Sequence, residues 1–401
     1  MRLCAVLRRT CAHELRLSRC LSSETPVRPD GPVRRSWAPN NNVRTPRAND
    51  KHAGDTASRG QYNGDGRAII RSQYELKGVI DKIFADRNVC DEVMFTNFVK
   101  DGLHECSASN VARFSRLSGK KSRSKSNMLL KAHLPEVASR IRALSSSSWS
   151  FSDISFVIYG LQSLQVRDPG YLDIISAMII IANATLNSKE TLSAQGLSMM
   201  LYGLQKSKCN DEESQKLLKK VTQMVSKCVE SLSAQAVGNA LYGLQGMSSD
   251  SVEVRALVLS LASKVDGCKE SLSAQAVGNA LYGLQGMSSD SVEVRALVSS
   301  LVSKVDGCEE SLNAQAVGNA LYGLRGMSSD SAEVRALVLS LVSKVDGCKE
   351  SLDAQAVGNA LYGLQGMSSD SVEVRALVSS LGSKVDGCEE SLNAQAVGNA
   401  L

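Results

Sequence analysis

The sequence predicts an all-α protein, an α-solenoid of stacked two-helix repeats, and three observations predict it. The text SLSAQAVGNALYGLQGMSSDSVEVRALVLSLASKVDGCK at 231–269 begins again at Ser271, Ser311, Ser351 and Ser391, a period of 40 residues without insertion. Within a copy, Val237, Ala240, Leu241 and Leu244 recur at i, i+3, i+4 and i+7, the spacing of a helix that buries one face. A second stripe follows at Val254, Leu257, Val258, Leu261 and Val265, and neither helix can bury its stripe without a stacked neighbour.

From the N-terminus, residues 1–36 read as an organellar transit peptide. Met1 is followed by Arg2, Arg8, Arg9, Arg16 and Arg19, with Glu14 the one acid before residue 21, interleaved with leucine and valine in stretches too broken for a secretory signal. Arg19-Cys20-Leu21-Ser22-Ser23 resembles a mitochondrial processing site. The mitochondrial matrix is the expected location, with the plastid as alternative. Residues 37–70, rich in Asn, Asp, Gly and Arg and poor in large apolar side chains, cannot repay the entropy of ordering and read as a linker.

Residues 71–148 read as a basic helical segment with a degenerate repeat at 107–117, and the serine run at 145–148 as a linker. The array occupies 149–401, with copies starting near 149, 192, 232, 272, 312, 352 and 392. In each full copy Ser233 or its equivalent starts helix A, and Gly246-Met247-Ser248-Ser249 ends it. Asp250-x-x-Glu253 resembles a capping box for helix B, and Gly267 stands where helices commonly stop. Gly238 and Gly243 each cost roughly 1 kcal/mol inside a helix, so a close approach of neighbouring backbones is expected there.

Composition excludes several functions. No apolar run approaches the roughly 18 residues of a membrane span, so no membrane association is expected. The 11 cysteines form no C-x-x-C pair, and Cys228, Cys268, Cys308, Cys348 and Cys388 recur once per copy, too sparsely for zinc; they read as small buried residues. His13, His52, His104 and His133 all lie outside the array, and no phosphate loop or nucleophile elbow is present. No enzyme activity, cofactor, metal or small-molecule substrate is expected. The net charge of +5 divides into −8 over residues 231–401 (11 Lys and Arg, 19 Asp and Glu) and hence +13 over residues 1–230. The basic half is a foothold for an anionic partner, with Lys120, Lys121, Arg123 and Lys125 the candidate phosphate anchors.

Three columns repeat on the side of helix A away from its buried stripe. They are Gln235, Asn239 and Tyr242, then Gln275, Asn279 and Tyr282, then Gln315, Asn319 and Tyr322, then Gln355, Asn359 and Tyr362. At 100° per residue each trio falls within about 60° of arc. Amides pair with base edges and flat rings stack on bases, so the columns are candidate contacts for single-stranded RNA. The alternative is structural: tyrosines filling the seam between repeats and amides tying helix ends. The position before Ala-Gln varies as Ser233, Ser273, Asn313, Asp353 and Asn393, which reads either as base reading or as helix capping.

The string at 232–244 resembles the helix A pattern of octotricopeptide repeats and related RAP-associated helical repeats, and is similar to repeats in subunits of mitochondrial RNA-editing substrate-binding complexes. The resemblance spans residues 100–401 and implies organellar RNA binding in RNA processing, editing, stability or translation, beside other proteins of an RNA-processing assembly. The array departs from that pattern in being acidic. It also ends inside a helix at Leu401, without the RAP domain of many relatives, so a longer natural chain is expected. The alternative function is a protein-binding scaffold without direct RNA contact.

Overall fold

The structure is a computed structural model and describes residues 72–85, 90–120, 124–386, 388 and 398. The segments read as a transit peptide and a linker, and Lys121, Arg123 and Asn393, lie outside the described residues.

The basic segment folds as α1 (Gln73–Ile83), α2 (Glu92–Asp101), α3 (Ala108–Ser118), α4 (Ser124–Ala132) and α5 (Leu134–Ala143). The array continues with α6 (Phe151–Gly160), α7 (Tyr171–Leu186), α8 (Ala194–Gly203) and α9 (Glu212–Lys227). The near-identical copies supply α10 (Ala234–Tyr242), α11 (Val252–Asp266), α12 (Ala274–Tyr282), α13 (Val292–Asp306), α14 (Ala314–Tyr322), α15 (Ala332–Asp346), α16 (Ala354–Gly363) and α17 (Val372–Asp386). Like packs on like: α3, α6, α8, α10, α12, α14 and α16 form an A row, and α5, α7, α9, α11, α13, α15 and α17 a B row. The molecule is an α-solenoid of stacked helix pairs.

The core runs between the two rows without a break. Val237, Leu241 and Leu244 of one copy and Leu257, Val258, Leu261 and Val265 of its B helix are all buried, each contributing about 1.5–3 kcal/mol. At the N-terminal end the filling changes to aromatic side chains. Phe84, Phe95, Phe98 and Phe114 pack ring on ring, with Phe95 and Phe114 centroids 4.9 Å apart.

Row spacing explains the glycines. A Cβ on Gly238 would stand 2.9 Å from the Ala276 Cα, and one on Gly243 2.1 Å from the Leu201 carbonyl oxygen. Adjacent A helices are therefore in backbone contact, an approach that no larger residue permits.

The charges act at seams between copies. Glu310 reaches back to accept the Ala274 N–H at 2.8 Å, and Glu270 and Glu350 do the same for Ala234 and Ala314. Each carboxylate sits at the positive end of an A helix. Lys304 and Lys344 donate to the carbonyls of Cys268 and Cys308, both at 2.6 Å, where B helices end. On the B row, Arg255 approaches Glu293 at 4.0 Å and Arg295 approaches Glu333 at 3.9 Å. The acidity of the array thus belongs to loops and to the starts and ends of the B helices, and from α10 to α16 the A helices themselves carry no charged side chain.

One local expectation is corrected. Asp250 does not cap helix B: Ser251 does, accepting the Val254 N–H, while its hydroxyl donates to Glu253 at 2.7 Å. Gly267 ends that helix, in right-handed geometry (φ −70°). Ser146–Ser148 form a 3₁₀ turn in the link between α5 and α6.

Candidate functional site

The tyrosine, amide and variable-position candidates among the described residues lie on the A row. Tyr242, Tyr282, Tyr322 and Tyr362 form one stacked column that continues backwards through Tyr202 to Tyr159. From Tyr202 to Tyr362 successive centroids stand 5.5–5.7 Å apart with planes 19–27° off parallel, offset-stacking distances. Tyr202, Tyr242, Tyr282 and Tyr322 each have a ring on both sides, so no base can insert there. The expectation of open stacking platforms is corrected: the tyrosines fill the seam between copies, and a ligand meets only the half-exposed remainder of each ring.

Equivalent rings of successive copies stand 5.5–5.8 Å apart along the whole column, in keeping with the backbone contact between adjacent A helices.

Asn239, Asn279, Asn319 and Asn359 stand one turn before the rings and are half-buried. Among the described residues their side-chain amides make no hydrogen bond, so each keeps its donors and acceptor available beside the tyrosine column. Gln235, Gln315 and Gln355 are exposed and Gln275 half-exposed, likewise without a side-chain partner among the described residues. The amide face begins with α10, because Phe156 and Met199 occupy the asparagine position in the two preceding copies.

The variable position is a cap in every described copy. Ser233 and Ser273 hydroxyls accept the N–H of Ala236 and Ala276 at 3.2 Å, Asn313 accepts from Ala316 at 2.8 Å, and Asp353 from Ala356 at 2.7 Å. Capping accounts for the Ser, Asn and Asp variation, and the acceptor oxygens are occupied.

Of the phosphate anchors, Lys125 is paired with Glu92 at 3.0 Å and Lys120 is half-buried with a partner of its own. Neither lies in the A row of the near-identical copies. A cation that sequence reading passed over does lie beside it: Arg325, just past α14, where the other three copies have Gln245, Gln285 and Gln365. Its Nε donates to the Gln285 carbonyl at 2.6 Å and Nη1 to the Tyr322 hydroxyl at 2.8 Å. Its guanidinium lies 5.0 Å from the Tyr322 centroid and 6.0 Å from that of Tyr362, within cation–π range. The lone arginine among glutamines was the signal in the sequence.

Cys228, Cys268, Cys308 and Cys348 are buried, their thiols directed at the carbonyls of Glu230, Glu270, Glu310 and Glu350. Burial raises the Cys228 and Cys308 thiols above their ordinary range. No cluster of metal-ligating side chains occurs among the described residues, and no helix there is long and apolar enough to cross a membrane. Comparison with known protein families and with curated proteins finds no match to the chain.

Proposed function

We propose that this helical-repeat protein binds single-stranded RNA in an organelle, the mitochondrion above the plastid, and serves RNA processing, editing, stability or translation without catalysing a reaction. The observation that carries the reading is the face of the A row from α10 to α16, whose helices carry no charged side chain and on which unpartnered amides repeat with the fold. Such amides suit base edges, and splayed single strands are the usual targets of sequence-reading repeats. The basic front half and the octotricopeptide-like helix A pattern support the same reading. The tyrosines enter it as the spacer that holds the amides in register, not as stacking platforms.

One observation favours a second reading, a protein-binding scaffold: among the described residues of the near-identical copies Arg325 is the cation that lies over the tyrosine column, where the other three copies have glutamine, whereas RNA affinity rests largely on phosphate contacts. Salt separates the two. Binding of the full chain to random single-stranded RNA should weaken steeply between 50 and 200 mM salt (about tenfold or more) if phosphates are engaged. Asn239→Ala/Asn279→Ala/Asn319→Ala removes amides that the fold does not use, so it should lose affinity while helical circular dichroism is kept. A folded protein with no RNA affinity at low salt would transfer the function to the scaffold.

A further inference from the structure

The four copies from α10 to α16 repeat the same helix A face four times over, with Arg325 just past α14 the departure beside it. Residues 234–244, 274–284, 314–324 and 354–364 are identical, AQAVGNALYGL in each. A reader of mixed sequence must differ from unit to unit, and these units do not. The one variable position at the start of each helix has an oxygen engaged in capping. Identical sites in series recognise identical units in series.

The chemistry of the site selects among bases. Each copy offers an Asn amide and a Gln amide, donor and acceptor side by side, and no carboxylate or cation on the helix itself beyond the capping Asp353. On the Hoogsteen edge guanine's two acceptors call for Arg or Lys and the pyrimidines offer no adjacent donor and acceptor, whereas adenine's amine and N7 match an amide in a bidentate pair. The step along the column, 5.5–5.7 Å at the rings from Tyr202 to Tyr362, exceeds the roughly 3.4 Å rise of a stacked strand. It falls short of the roughly 6.6 Å covered by two residues of extended peptide. A strand with its bases drawn apart, one per copy, fits that step.

We infer that the near-identical copies bind a homopolymeric run, four or more consecutive adenines, through the Asn239, Asn279, Asn319 and Asn359 column. The inference rests on the RNA-binding reading and names its substrate class. The test is fluorescence anisotropy of the full chain with labelled 12-nucleotide oligo(A), oligo(U), oligo(C) and a mixed sequence at one salt concentration. Oligo(A) should bind at least about tenfold more tightly than each of the others, and Asn279→Ala/Asn319→Ala should erase most of that preference. Equal affinity for oligo(A) and the mixed strand overturns the adenine-run inference and leaves RNA binding standing. No affinity for any strand by the folded chain overturns both. Should the double variant misfold, the four-strand comparison on the unaltered protein decides alone.

Discussion

Gly283 stands so close to Leu241 that a Cβ placed on it would lie 1.9 Å from the Leu241 carbonyl oxygen. Gly323 and Gly363 repeat the relationship with Leu281 and Leu321 at the same 1.9 Å. Because the obstacle is backbone, relief requires the A helices to move apart. Gly283→Ala should therefore destabilise the array by about 1–3 kcal/mol, the usual cost of overpacking. Gly78 has nothing within 4 Å of an added Cβ and sits inside α1, so Gly78→Ala should gain about 0.5–1 kcal/mol. Urea titrations followed by circular dichroism compare them, and a Gly283→Ala midpoint equal to wild type would show that these contacts do not space the rows.

The period, the two helices per copy and the buried stripes were legible because helical periodicity and repetition are properties of the text. The close approach at Gly238 was legible too, as a cost without a local benefit. The tyrosine seam was legible as one of two readings, but the text could not choose it over open rings: residues 40 positions apart meet only because adjacent A helices pack in contact, and a side chain outside the buried stripe reads as exposed whichever neighbour covers it. Glu310 escaped for a related reason, since its partner N–H belongs to Ala274, a copy earlier in the chain. Arg325 was visible as a departure from glutamine, but its place beside the rings depends on a fold that the text does not contain.

The bond from Ala274 to Glu310 gives a second prediction. Glu310→Ala removes an acceptor from the α12 start and should cost about 0.5–2 kcal/mol, in the range of other N-terminal caps. Glu309 is exposed and makes no such bond, so Glu309→Ala should change stability by no more than about 0.5 kcal/mol. Thermal melts of the two neighbours settle the comparison, and equal losses would point to net charge instead of capping.

Acid should weaken the B row. The Ser291 hydroxyl, bonded to Glu293 at 2.6 Å, and a backbone N–H hold that carboxyl below its ordinary range, with nearby Arg255 adding to the effect. Serine hydroxyls and backbone N–H groups do the same for Glu253, Glu333 and Glu373. A carboxyl depressed in the folded state stabilises fully above its unfolded value, near 4.3, and that contribution is lost as pH falls through the folded value. Urea midpoints measured from pH 3 to 7 should therefore fall below about pH 4.3. Glu293→Gln/Glu333→Gln should flatten that limb, and an unchanged slope in the variant would refute the assignment.

Tyr282→Ala should open the column between Tyr242 and Tyr322. The ring is half-buried, so the loss should lie at or below the low end of the 3–5 kcal/mol known for fully buried aromatic truncations. Tyr282→Phe keeps the ring and should retain most of that stability. If chemical denaturation finds Tyr282→Ala as stable as wild type, the stack contributes shape without energy, and alanine variants of the tyrosines become clean probes of binding.

Arg325→Gln distinguishes the two functional readings at a single side chain. Glutamine is what the other copies place there, and Gln365 shows how it sits, donating to the Arg325 carbonyl at 3.0 Å. The substitution should therefore leave stability within about 0.5 kcal/mol of wild type. It removes a positive charge beside the tyrosine column. If that charge neutralises an RNA phosphate, its removal lowers the slope of log Kd against log salt by about 1, with affinity falling alike for every RNA sequence. A protein ligand held by amides and ring edges would bind Arg325→Gln with an unchanged salt dependence, because its docking releases no counterions. An RNA affinity that keeps both its magnitude and its salt slope in Arg325→Gln would remove the array's cation from the binding surface and place the phosphate-binding groups in the basic segment before residue 149.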